Sequence, residues 1–218
     1  MKSRKKIKNP SNKNPFQDLS DDFIMNEVRA LRIGYGMKRT LRYNSKRDLS
    51  VHSESVAEHI FALHFLALYF IQYEDPDCKL DFEVVSRIIT FHDFGEILHG
   101  DVPYHMKTEA HRNQEHKDAE IVFASLPVSI QKTATESWQD YEKQVSAEAK
   151  FVYALDKVEP LFELFDPVNE LSLKKTNFSY KDHFDKKFLA TESFPIMRRF
   201  VEVVSKDMLD RKIFWENK

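Results

Sequence analysis

The sequence predicts an all-α protein folded as one compact domain. Three observations carry this. Only four glycines and eight prolines interrupt 218 residues, apolar residues recur at helical rather than alternating intervals, and no stretch reads as a strand. Apolar residues make up 42% of the chain, enough to fill a core, and 31% charged residues supply a solvated exterior. The length suits one good-sized domain.

The elements follow in order. Residues 1–17 hold six lysines and arginines among Asn, Ser and Pro, and read as a disordered basic leader ahead of a domain over 18–218. Asp21 or Asp22 can cap a helix through "FIMNEVRALRI" that stops at Gly34. The segment 36–50 is polar and irregular. Ser53 or Ser55 starts a long helix through Tyr73, and "EDPD" ends it. Another helix spans about 81–94. A loop with Gly100 and Pro103 leads to a charged helix near 107–125, and Pro127 opens the next. Residues 146–165 are helical, with a kink or break expected at Pro160. A last amphipathic helix covers roughly 184–213.

Bulk chemistry narrows the partners. A formal net charge of −2 argues against nucleic acid or an anionic membrane. The single cysteine, Cys78, allows no internal disulfide and fits a reducing compartment. No apolar h-region follows the basic leader, so it is not a secretory signal. The longest apolar run, 60–71, is too short for a bilayer and contains His64. These features predict a soluble, cytoplasmic protein.

Three helices each place an ionisable group in an apolar stripe. Val56, His59, Leu63, Leu66 and Phe70 fall on one helical face. Val85, Ile89, His92 and Glu96 share another, with Asp93 beside it. Val145, Ala149, Val152 and Asp156 repeat the pattern on a third. One such residue alone is ordinarily a satisfied core group. Together they pose a problem, since burying carboxylates without a cation is costly. A divalent ion held by His59, His92, Asp93 and Asp156 resolves all four at once. Two imidazoles and two carboxylates suit Mn²⁺, Co²⁺, Fe²⁺ or Zn²⁺ better than Ca²⁺.

The motifs "SVAEH", "HDFGE", "GDVP" and "EAKFVYALDKVE", in that order, resemble the HD-domain metal phosphohydrolases. "MKRTLRY" and "KTEAHRNQEHKDAE" narrow the likeness to the 5′-deoxynucleotidase branch. It runs from about Leu31 to Glu159. The resemblance implies an HD-type helical bundle, a homodimer, and hydrolysis of (deoxy)nucleoside 5′-monophosphates to nucleoside and phosphate. It implies His59, His92, Asp93 and Asp156 as metal ligands, and Arg42 on the substrate phosphate; the residues alone leave Arg42 one of several cations in a basic loop. It also puts Glu96 and Asp101 near the catalytic water. Tyr43 stands where the family usually has Trp, against the sugar. Such hydrolysis is among the slowest reactions in water, so the chemistry needs an activated water and charge neutralisation.

Three rival readings are weaker. Alarmone hydrolases on the same scaffold resemble a pattern with adjacent Glu-Asp, where this chain has Glu96-Ile97. A binuclear phosphodiesterase needs further histidines, and His111 and His116 lie in a polar segment. A non-catalytic binding module predicts loss of a ligand, whereas all four are present.

Overall fold

The computed structural model of the chain describes residues 37, 40–42, 54–164, 173 and 177–214. The basic leader, the helix expected after Asp22, and Tyr43 lie outside the described residues. Within these there are seven α-helices and one 3-10 helix, with no strand. In chain order they are α1 (Val56–Glu74), α2 (Phe82–Phe91), the 3-10 helix (Phe94–Ile97), α3 (Glu109–Ala124), α4 (Val128–Lys143), α5 (Ala147–Glu163), α6 (Tyr180–Ala190) and α7 (Pro195–Asp210). The expected all-α class holds.

Local chemistry explains most boundaries. Of the two candidate serines, Ser55 starts α1. Its Oγ accepts from the Glu58 amide at 3.2 Å, and Glu58 accepts from the Ser55 amide at 2.6 Å. Asp81, Thr108, Ser146 and Ser179 cap α2, α3, α5 and α6 in the same N-terminal manner. α5 runs without a break through Pro160 to Glu163, so of the expected kink or break the break does not occur. Proline removes the amide that the Asp156 carbonyl would otherwise accept from, and packing on five neighbouring helices keeps the helix whole.

Three further expectations need correction. The single helix expected over 184–213 is two, because Pro195 occupies the first turn of α7 and cannot continue α6. The helix expected over 81–94 ends at Phe91, and the chain tightens into the 3-10 turn that carries Glu96. Val145 is 72% exposed and precedes α5, so the third stripe begins at Ala149.

The 60–71 run belongs to a 19-residue helix of mean hydropathy 1.2, which by length and composition alone could cross a membrane. Part of its apolar character serves the core: Val56, Leu63, Leu66, Ala67 and Phe70 are buried, each large side chain contributing about 1.5–3 kcal/mol relative to exposure, while Phe61, Phe65, Leu68, Tyr69 and Tyr73 of the same helix are exposed. His59 sits on that same buried face.

α5 is the central helix, packed against α1, α2, α4, α6 and α7. One apolar cluster joins α1, α2, α5 and α7 through Leu63, Phe70, Ile89, Leu155 and Met197. A second, built on Met37, Val56, Phe94, Val122 and Trp138, lies around α3, α4 and the 3-10 helix. His59, His92 and Asp156 arrive from three of the helices that the first cluster clamps together.

Candidate active site

Each expected ligand is buried and faces the others. His59, on α1, places Nε2 3.2 Å from Asp156 Oδ1 and 3.8 Å from Asp93 Oδ2. His92 Nε2 lies 3.2 Å from Asp93 Oδ2. One ligand atom each from His59, His92 and Asp93 falls within 4.8 Å of the other two. Asp156 joins them through His59, outside that tightest trio.

The surroundings aim these atoms. His92 Nδ1 donates to the Ile89 carbonyl at 2.9 Å, which turns Nε2 toward the site. That Nε2 is fully buried and has no hydrogen-bond partner. His59 Nδ1 is 3.1 Å from Glu159 Oε2, which turns its Nε2 toward the same point. Tyr141 and Lys157 donate to Asp156 Oδ2 at 2.6 Å and 2.5 Å, which leaves Oδ1 toward the site.

The electrostatics agree with a cation-seeking site. Burial and Arg42 oppose protonation of His59, yet Glu159 and Asp156 hold its pKa at about 10. Burial also opposes ionisation of Asp93 and Asp156. Even so, His92, His59 and Arg42 hold Asp93 well below the usual carboxylate range, and Lys157 and the two histidines do the same for Asp156. Two ionised carboxylates, the His92 Nε2 that faces them and an imidazole bridging two acids fit one divalent ion. An ion there would displace the proton from His59 Nε2.

Arg42 is fastened by a single antiparallel bridge, Leu41 to Ser55, with its amide donating to the Glu54 carbonyl at 2.8 Å. Its guanidinium is 3.4 Å from Asp93 Oδ2, 3.7 Å from Glu54 and 3.9 Å from Asp101. Glu96 is brought in by the 3-10 helix, whose approach to α3 is possible because residue 95 is glycine. A Cβ there would stand 2.9 Å from the Glu115 carbonyl oxygen. Burial, with Asp101 and Asp93 beside it, holds the Glu96 carboxyl well above the usual range. Its Oε2 is buried without a hydrogen-bond partner. Gly100, at φ 87°, reverses the chain and returns Asp101 to the site. Arg42, His92, Asp93, Glu96, Asp101 and Asp156 line one cavity of about 320 Å³, and His59 lies outside its lining; the volume is within the range of small-molecule sites.

The HD-domain model matches residues 36–193, well over half the chain. The chain belongs to the HD-domain family. The matched region of this HD domain contains every expected site residue. It is 30% identical over 155 residues to a 5′-deoxynucleotidase of Bos taurus, covering 68% of this chain and 71% of that protein. The human 5′-deoxynucleotidase is 33% identical over 113 residues, covering 50% of this chain and 52% of its own length. Among solved structures, a predicted metal-dependent phosphohydrolase from Magnetospirillum magnetotacticum superposes with a TM-score of 0.74 at 24% identity. The match covers 88% of this chain and 96% of that one, a likeness of fold.

The HD-domain site also contains residues that the stripes did not single out. Glu159, three residues after Asp156 on the buried side of α5, was legible as a second acid on one face. Tyr141 and Lys157 carried no sequence signal. Of the unassigned histidines, His111 forms the capping box of α3. His116 lines the cavity and sits 3.2 Å from Glu142.

Proposed function

We propose that the chain is a metal-dependent phosphomonoesterase that hydrolyses nucleoside 5′-monophosphates, deoxyribonucleotides in particular, to nucleoside and inorganic phosphate. The observation that carries this reading is the convergence of buried His59 and His92 with two ionised aspartates beside a cavity that also holds Arg42. The names of the similar proteins supply the substrate class. His59, His92, Asp93 and Asp156 would hold the ion, a divalent one of the Mn²⁺, Co²⁺, Fe²⁺ or Zn²⁺ type. When bound, it supplies charge neutralisation for the phosphoryl group and a more acidic water.

The remaining chemistry belongs to the chain. Arg42 offers a planar fork for two phosphoryl oxygens, exchanging its long contacts to Asp93 and Asp101 for charge-assisted bonds. Glu96 holds and moves a proton at its partnerless Oε2. Asp101 steadies Arg42 through Nε, and its negative charge favours the proton on Glu96. Tyr43, next to Arg42 in sequence, is assigned to the sugar by resemblance alone. The reading includes a homodimer and a cytoplasmic location, supported by the family likeness and by Cys78 being the single cysteine.

A substrate panel tests it. Deoxynucleoside 5′-monophosphates release phosphate, while 3′-monophosphates, guanosine tetraphosphate and cyclic dinucleotides are turned over poorly. A higher kcat/KM on guanosine tetraphosphate would move the chain to the alarmone branch. Arg42→Ala raises KM for the 5′-monophosphate by about 10–100-fold with a smaller loss in kcat, the scale of a charged hydrogen bond. Steady-state kinetics on folded, metal-loaded variant check this, and an unchanged KM removes Arg42 from the phosphate.

A further inference from the structure

We propose that Lys187, on α6, is a second phosphate-binding cation of this cavity, donating to a phosphoryl oxygen that Arg42 leaves free. The proposal rests on the phosphomonoesterase reading above and adds a residue that neither the motifs nor the family likeness singles out.

The side chain of Lys187 is 2% exposed and lines the cavity together with His92, Asp93 and Asp156. Its neighbours on α6 are accounted for. Lys181 pairs with Asp185, and Lys186 lies over the Tyr153 ring at 5.5 Å. The Lys187 ammonium has no hydrogen bond or ion pair with any described residue; its backbone carbonyl is engaged by Thr191. Beneath it, one helical turn earlier, is His183, a buried neutral imidazole whose Nε2 meets Ser205 Oγ at 3.0 Å. No carboxylate is placed there to receive the ammonium.

Burying an ammonium is costly unless it is paired. Here burial, then the like charge of Lys157, lowers the Lys187 pKa to about 7, and Asp156 and Glu159 only partly offset this. Lys157 is already engaged by Asp156. The fold therefore keeps a buried amino group on the cavity wall with no described residue to satisfy it. Methionine would fill the same volume without that cost. An anion entering the cavity supplies the missing partner. The charges that act on Lys187 are Lys157, Asp156, Glu159 and Arg42, those around the ion-holding residues. The anionic part of the ligand therefore sits at that end, which in a nucleoside monophosphate is the phosphoryl group.

The test begins without turnover. Inorganic phosphate is titrated into the metal-loaded wild-type protein and into Lys187→Met and Lys187→Arg, with calorimetry and metal analysis on each. Lys187→Met weakens phosphate binding by about tenfold or more, and Lys187→Arg recovers most of it, on the scale of one charge-assisted contact. Metal content is unchanged, and the phosphate-free melting temperature of Lys187→Met is equal to or above wild type, because an unpaired charge has been removed. KM for a deoxynucleoside 5′-monophosphate rises by a similar factor, with kcat less affected. Unchanged phosphate affinity in folded, metal-loaded Lys187→Met overturns the proposal. So does a lowered melting temperature with unchanged phosphate affinity, the mark of a structural lysine. If Lys187→Met does not fold, Lys187→Gln is titrated in its place and judged by the same two results. Should the wild-type protein hydrolyse no nucleotide, the phosphomonoesterase reading fails while the phosphate titration still decides Lys187.

Discussion

Replacing Asp156 or His92 with alanine abolishes phosphate release and removes the stabilisation that metal confers. Asp156 Oδ1 lies 3.2 Å from His59 Nε2, and its other oxygen is held by Tyr141 and Lys157. Alanine therefore deletes a donor that three partners have aimed, and it leaves the Lys157 ammonium without its carboxylate. His92→Ala removes a buried ring nitrogen that faces Asp93 at 3.2 Å in the expected ligand set. A ligand present at a thousand times its Kd stabilises the native state by about 4 kcal/mol. For a domain of this size that corresponds to roughly 8–16 °C in Tm. Wild-type protein then loses that increment on dialysis against chelator, whereas both variants start without it and do not respond. Melting curves with and without chelator, paired with metal analysis and a phosphate-release assay, check the result. Full activity in Asp156→Ala after chelation would sink the assignment.

Glu96→Ala keeps the metal and the fold but lowers kcat by about 10²–10⁴-fold, the scale of a positioned acid–base group. Glu96 is buried, sits on the 3-10 helix rather than on α2, and is not among the atoms that crowd around His59 Nε2. Its carboxyl is poised by burial and by Asp101 and Asp93 to retain a proton that an exposed glutamate would lose. Glu96→Gln separates shape from proton transfer, since the amide keeps the volume and loses the titration. The sign of the stability effect can be worked out for the chelated protein. A carboxyl whose native pKa is raised binds more protons folded than unfolded, so its contribution falls as pH climbs above its ordinary value near 4.5. Glu96→Gln removes that decline, and chelated Glu96→Gln loses less stability than chelated wild type between pH 5 and the raised native value. Normal kcat in Glu96→Ala would demote the residue to structure, loss of metal would make it a ligand, and either outcome moves the proton chemistry to Asp101.

Helical periodicity made a good part of this site readable. The Val56, His59, Leu63, Leu66 and Phe70 stripe is buried as spaced, because α1 is one regular helix from a serine cap onward. The same arithmetic misleads after Phe91. His92 and Glu96 keep an α-helical interval in number, but the backbone between them leaves the α-helix. Glu96 is buried all the same, for a different reason: the turn is drawn against α3. Asp156 was readable because Ala149 and Val152 precede it on the same face, whereas Val145, outside the helix, was not part of the stripe. Tyr141 and Lys187 acquire meaning only once α4, α5 and α6 are packed together, and single-helix patterns do not report which helices meet. Pro195 was a visible stop signal, overridden by the amphipathic run on either side of it.

The close approach of Gly95 to α3 reaches beyond the turn itself. The backbone that carries Glu96 rests on the Glu115 carbonyl, so the position of this carboxyl is inherited from a helix with no expected ligand on it. Ala119, Val122 and Phe123, which seat α3 in the second apolar cluster, act as the foundation under a lever. Settlement there tilts the far end, and a misplacement of about 1 Å at a reacting group costs about 10²-fold in rate. The outward side of α3 can drift in sequence at little cost. Its inward side is tied to turnover, and tuning the speed of this enzyme without touching its substrate pocket would start among those three side chains.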